Sequence, residues 1–297
     1  MREINRILCP VDLSDVSRDA IAHAVLLARW YKAKVSALHV RNPLVAPETD
    51  FRVLGFGPPL VLTEDEVNQA REQVVACFGS DGSDVDVLID SGRPAQQILE
   101  RARSLPADVI VIGTHGASGF DRLILGSVTE KVLRAATCPV LTVPPHAHTT
   151  ATLPFKRMLC PIDFSESSLA ALDFALSLAQ QNDSALTLLH VIESPADEEP
   201  PDGRPFTVSE YRRDRERDAT ARLEQVVPDS IAESSRPTTR LAHGKPYREI
   251  LRIATEDHSD LIVMGVHGRN PLDRMMFGST TNQVVRRATC PVLTLRH

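Results

Sequence analysis

Aromatic residues are scarce. Phe, Tyr and Trp make up 4% of the 297 residues, and there is one tryptophan. Proteins that stack the bases of single strands need such rings, so that class of partner is not expected. Basic residues show no surplus either: 33 Lys and Arg against 39 Asp and Glu leave a net charge of −6. A broad surface for the nucleic-acid backbone is excluded with it. No apolar run approaches the ~20 residues that cross a bilayer. The stretch Met1-Arg2-Glu3-Ile4-Asn5-Arg6 has no apolar signal core, and the cytoplasm is the expected compartment. The five cysteines contain no CxxC pair. No zinc site is expected, and reduced thiols packed at strand starts are. The G-x-x-x-x-G-K-[ST] phosphate loop is missing, as is the G-x-G-x-x-G fingerprint after the first strand.

What is present is a repeat. Arg6-Ile7-Leu8-Cys9-Pro10-Val11-Asp12 matches Arg157-Met158-Leu159-Cys160-Pro161-Ile162-Asp163. Leu38-His39-Val40 matches Leu189-His190-Val191, and Gly92-Arg93-Pro94 matches Gly244-Lys245-Pro246. The segment from Ala136 to Thr142 recurs unchanged from Ala288 to Thr294, which pairs Cys138 with Cys290. So long a period indicates duplicated domains, and the length leaves each able to bury its own core.

Strand and helix patterns alternate within each half. In the first, strands are expected to end at Asp12 and to cover residues 34–40, 85–89, 109–112 and 140–143. The first helix takes Ser14 or Ser17 as its cap and buries Ala20, Ala24, Leu27 and Ala28. Thr63-Glu64-Asp65-Glu66 is a capping-box pattern opening the second. Pro94 suits the first turn of the third, and residues 127–136 form the fourth. Short apolar strands between amphipathic helices imply an α/β fold. Each half is a doubly wound, five-stranded parallel sheet of order 3-2-1-4-5, with helices on both faces. The polar, proline-rich stretch 144–150 separates a first domain, 1–145, from a second, 153–297.

In such sheets ligands bind beyond the carboxyl ends of the strands, where the winding reverses. Strands one and four flank that point. They carry Asp12 and Gly113 in one half, Asp163 and Gly265 in the other. After strand four comes G-x-x-G, nine residues, then G-S: Gly113, Gly116, Gly126 and Ser127, repeated as Gly265, Gly268, Gly278 and Ser279. Bare glycines let a backbone approach an anion, and the start of helix four offers main-chain N–H groups and a positive dipole end. Ser127 can cap that helix or donate to phosphate. Asp12 can accept from a ribose or an adenine amine, or cap the next helix. Val40 ends strand two, where main-chain groups can meet an adenine edge.

With these motifs the chain resembles a tandem universal stress protein of the ATP-binding subclass, over essentially its whole length. The resemblance implies that Asp12 and Val40 hold adenine and ribose. It implies that Gly113, Gly116, Gly126, Ser127 and Val128 hold ribose and phosphates. The second set is Asp163, Val191, Gly265, Gly268, Arg269, Gly278, Ser279 and Thr280. Arg269 follows Gly268 as is common in the family, where the first half has Ala117. Thr280 departs from the small apolar residue usual there, and Pro271 stiffens the loop. The acidic stretch 193–199 also disfavours phosphate, so the first site is expected to be the tighter.

His115 and His267 are expected to stabilise the glycine loops, and His39 and His190 to pack at strand ends. Asp121-Arg122 and Asp273-Arg274 read as matched loop anchors, the apolar stretch 51–59 as a lid or docking surface, and His146 and His148 as linker residues. No lysine sits in either glycine loop to follow a transferring phosphoryl group.

The expected function is an ATP- or ADP/AMP-binding stress-response regulator rather than a fast enzyme, with Mg or Mn bound through the phosphates. A weak ATPase and a nucleotide-free interaction module are the alternatives. The apolar fifth strands are expected to pair the two domains within a chain, and a homodimer is plausible. Neither nucleic acid nor membrane is an expected partner.

Overall fold

The computed structural model describes residues 4–41, 63–79, 84–115, 125–145, 147, 155–193, 208–228, 231, 236–266 and 278–296, with the main chain alone at 208–212. The chain divides into two compact units, Arg2–Pro154 and Phe155–His297. Gly116, Gly268, Arg269, Pro271, His267, the Asp121-Arg122 and Asp273-Arg274 pairs, His146, His148 and residues 51–59 and 194–199 lie outside the described residues.

In the first unit β1 (Arg6–Pro10), α1 (Ser17–Tyr31), β2 (Lys34–Arg41), α2 (Glu64–Phe78) and β3 (Asp86–Ser91) are followed by α3 (Pro94–Ser104), β4 (Val109–Gly113), α4 (Ser127–Ala135) and β5 (Val140–Val143). The strands are parallel in the order β3-β2-β1-β4-β5. The winding therefore reverses between β1 and β4, which are neighbours on either side of the switch. Right-handed crossovers then put α1 and α2 on one face and α3 and α4 on the other, and α1 packs beside α2 as α3 does beside α4. The central strands have apolar interiors: Leu8, Cys9, Ile110 and Val111 are fully buried, as strands covered on both faces must be.

The second unit repeats this with β6 (Arg157–Pro161), α5 (Glu166–Asn182), β7 (Ala185–Ile192), α6 (Val208–Gln225), β8 (Thr238–His243), α7 (Pro246–Glu256), β9 (Leu261–Gly265), α8 (Ser279–Arg287) and β10 (Val292–Leu295). Its parallel order is β8-β7-β6-β9-β10.

Local signals set most element starts. Thr63 and Glu66 form a reciprocal capping box at α2, and Pro94 opens α3. The start of α1 differs from expectation. Its N-cap is Val16, with no side-chain cap bond, and Ser17 is already the first helical residue. The hydroxyl of Ser17 donates instead to the Ser14 carbonyl at 2.7 Å. In the second unit the equivalent turn is capped, since Ser165 accepts from the Ser168 N–H. At the opposite end of each sheet a matched aspartate clamps the first strand. Asp108 accepts from the N–H groups of Asn5 and Arg6 at 2.7 and 2.9 Å, and Asp260 from those of Lys156 and Arg157 at 2.6 and 3.0 Å.

Candidate functional site

Two carboxylates stand at the switch points, and both are engaged by their own loops. Asp12 Oδ1 accepts from the N–H and hydroxyl of Ser14 at 3.1 and 2.6 Å. Asp163 Oδ1 does the same with Ser165 at 3.0 and 2.6 Å. These Asx turns hold one oxygen of each carboxylate in place. The residue after each aspartate is left-handed, Leu13 at φ 62° and Phe164 at φ 64°. Bulky side chains seldom adopt that conformation, and such strain concentrates where a site must hold a special shape.

Strand alternation orients Val40 and Val191. Leu38 gives its carbonyl to Val11, on the β1 side, and Arg41 gives its own to Gly92, on the β3 side. In a parallel ladder alternate residues face the same neighbour, so the N–H and C=O of Val40 face the β1 side, beyond the end of that strand. Leu189 to Ile162 and Ile192 to Gly244 set Val191 the same way.

The helix starts differ from the simple phosphate-loop expectation in one respect. Gly126 and Gly278 are the N-caps of α4 and α8, with φ of −57° and −54°. Their N–H groups already donate to Thr114 at 2.9 Å and Val266 at 3.0 Å. The helical ladder begins with Glu130 to Gly126 and Asn282 to Gly278. The amides ahead of it are those of Ser127, Val128 and Thr129, and of Ser279, Thr280 and Thr281, and these face the anion-attracting end of each helix.

Thr129 and Thr281 were not singled out by sequence. Each donates its hydroxyl to the carbonyl at the end of strand four, Gly113 at 2.8 Å and Gly265 at 2.9 Å. They tie each helix start to its strand, and their recurrence in the repeat was the available signal.

The glycines at these strand ends have a packing role. A Cβ at Gly265 would lie 2.7 and 2.8 Å from the carbonyl carbon and oxygen of Ser167, in the first turn of α5. At Gly113 the nearest backbone atom would be the His115 carbonyl oxygen at 3.2 Å. Gly265 is therefore bare because a helix start crosses it, whatever the ligand.

The histidines act as anchors. His39 and His190 donate from Nδ1 to the carbonyls of Val11 and Ile162 at 2.8 and 2.7 Å. A carbonyl only accepts, so Nδ1 carries the proton in both. His115 shares a hydrogen bond with the Thr114 hydroxyl at 2.8 Å, and burial lowers its pKa. Burial pushes the thiols up, Cys9 to about 12 and Cys138 to about 11, and leaves them inert rather than nucleophilic. Among the described residues no cluster of three metal-ligating side chains occurs. Nor is any described helix long and apolar enough to cross a membrane.

A cavity of about 790 Å³ opens in the second unit. Asp163, Val191, Gly265, Gly278, Ser279 and Thr280 all line it, so every described member of the second predicted set converges there. So do Phe164, His190 and, from α6, Arg215 and Arg222, none of them among the residues predicted to bind. The guanidinium of Arg222 sits 4.0 Å above the Phe164 ring centroid, and the Phe164 and His190 rings are tilted against each other at 4.7 Å.

Residues 3–144 and 154–296 each match the profile of the Universal stress protein family. A universal stress protein of Mycolicibacterium smegmatis is 27% identical over 98% of this chain and 96% of its own. One from Methanocaldococcus jannaschii is 36% identical over 46% of this chain and 81% of its own length. The crystal structure of a universal stress protein from Archaeoglobus fulgidus is similar with a TM-score of 0.65 and 24% identity, covering 99% of this chain and 97% of the other. At that identity the likeness is one of fold.

Proposed function

The chain belongs to the universal stress protein family, and from that premise we propose that it binds adenine nucleotide, ATP or its ADP and AMP forms, as a stress-response regulator rather than a fast enzyme. One observation carries the reading: the Asp163, Val191 and Ser279 positions meet around a single cavity whose 790 Å³ suits a nucleotide. In this reading Asp163 and the main chain of Val191 take the ribose and the adenine edge. The amides that begin α8 take the phosphates, as those of α4 do in the first half beside Asp12 and Val40. Gly116, Gly268 and Arg269 complete the proposed set. Mg or Mn rides on the phosphates and is held through them. The chemistry offered to the phosphates is donation by amides and hydroxyls, which stabilises a bound anion without activating water.

The test is to denature the purified chain and count the nucleotide released, then titrate the emptied protein with ATP by calorimetry. Adenine nucleotide at up to two per chain is expected. Two sites that stay empty at millimolar ATP would remove the proposal. Turnover at ordinary enzyme rates would replace the regulator with a nucleotide hydrolase.

The cytoplasm remains the proposed compartment, in keeping with buried free thiols at Cys9 and Cys160. Pairing of the apolar outer strands β5 and β10 within a chain, and a homodimer beyond it, complete the proposal. Slow exchange of the outward-facing amides of both strands is expected, and rapid exchange would argue against pairing.

A further inference from the structure

The two halves share their glycines and aspartates but differ along one wall of the cleft. Phe164 takes the strained left-handed position after Asp163, where the first half has Leu13. Ala219 and Leu223 are buried in α6 as Ala70 and Val74 are in α2, which brings the two helices into register. In that register Arg222 stands where the first half has Gln73, and Arg215 where it has Glu66. Glu66 is occupied differently, with Arg41 at 2.8 Å and in the capping box of α2.

We propose that Arg222, whose guanidinium sits over the Phe164 ring, is the base-stacking platform of the second cleft, and that it makes this cleft the tighter of the two for adenine nucleotides. The inference rests on the nucleotide reading above and goes beyond it by naming what distinguishes the halves. It reverses the ranking that Thr280 and Pro271 lead one to expect. A guanidinium is planar and has two faces. The central carbon of the Arg222 guanidinium stands 4.0 Å from the Phe164 ring centroid, and the exposed Arg222 side chain also lines the cavity. His190, tilted against Phe164 at 4.7 Å and tied to the Ile162 carbonyl at 2.7 Å, braces the ring. The left-handed backbone at Phe164 recurs at Leu13, so what differs between the halves is the side chain it presents. Adenine is flat, π-rich and neutral, and stacks well on a cation already fixed in place. Phe164 follows Asp163 in the chain, and the platform lines the same cavity as Asp163 and Val191, where the base is proposed to sit. Leu13 and Gln73 offer the first cleft neither a ring nor a planar cation.

The test uses the full-length chain, ATP and 8-azido-ATP, whose reactive group is on the base. Photolabelled protein is digested and the labelled peptides are identified by mass spectrometry. In the unmodified protein, label on peptides carrying Phe164 or Arg222 is expected, saturating at lower nucleotide than label in the first half. Arg222→Gln and Phe164→Leu, which install the first half's residues, are expected to weaken second-half labelling about five- to thirtyfold and leave first-half labelling unchanged. Arg222→Lys keeps the charge and loses the plane, so it is expected to behave like Arg222→Gln. ATP that binds while these variants label as the unmodified protein does overturns the platform alone. So does full recovery with lysine, which assigns the position to a point charge. A chain that binds no ATP in either half overturns the nucleotide reading and the platform together.

Discussion

Alanine at Gly265 should be far more damaging than alanine at Gly113, although the two glycines hold the same place in the repeat. Ordinary contact for a Cβ begins at 3.4 Å, and at Gly265 the new atom would stand 2.7 and 2.8 Å from the main-chain carbonyl of Ser167. The shortfall is about 0.6–0.7 Å against the first turn of a long helix, whose backbone cannot swing aside as a side-chain tip can. Overpacking of this kind costs about 2–3 kcal/mol. At Gly113 the closest backbone atom is at 3.2 Å, which a small shift absorbs at a cost below about 1 kcal/mol. Hydrogen exchange read peptide by peptide reports each unit separately. In Gly265→Ala, amides of β6 and β9 should exchange about thirty- to hundredfold faster, and in Gly113→Ala those of β1 and β4 should change less than about fivefold. Ser167→Ala in the Gly265→Ala background should restore little, because the obstructing carbonyl atoms remain. Equal protection in the two glycine variants would refute the packing argument and return both glycines to a role in ligand approach alone.

Three further outcomes follow from the geometry. Glu66 is held down from its ordinary 4.5 to about 2, first by the Thr63 N–H and then by Arg41 and the Thr63 hydroxyl. Its contribution to stability is therefore complete above the ordinary value and lost as pH falls through about 2. Its carboxyl resonance should titrate near that lower value and move up in Thr63→Ala, whereas a wild-type midpoint near 4.5 would mean the box does not form. Asp108→Ala strips two N–H groups at the start of β1 of their acceptor, and a loss of about 1–2 kcal/mol in urea titration is expected, with an unchanged midpoint counting against the clamp. Cys9 and Cys160 are 0% exposed with thiols pushed up by burial. Native protein should therefore leave both unmodified by iodoacetamide at neutral pH, and rapid alkylation would show that β1 and β6 open readily.

Much of the fold was legible because its signals are local. Alternating apolar strands and helical stripes gave β5 and the start of α4 to the residue, and the Thr63-Glu66 spacing gave the start of α2. The cap of α1 differs from expectation, because the Ser17 hydroxyl donates to the Ser14 carbonyl and the Ser14 hydroxyl to Asp12 instead of either accepting from the helix amides. Several local partners were available there, and composition alone did not rank them. The Asp12 and Asp163 positions were found by combining the repeat with the topology. That their Oδ1 atoms are taken up by Ser14 and Ser165 was not foreseen.

The sequence by itself determined that there are two like halves, that each is a parallel α/β sheet reversing between its first and fourth strands, and that a glycine-serine helix start faces that point. Periodicity and duplication carry this, since both are written in near neighbours along the chain. Only the tertiary structure decided that Gly265 is bare for the sake of α5, that the amide of Gly278 is already spent on Val266, and that Arg222 lies on Phe164. The first and last of these depend on a close approach between segments far apart in sequence, and no local pattern encodes such a distance; the bond from Gly278 to Val266 depends on how the glycine loop closes on its own strand end.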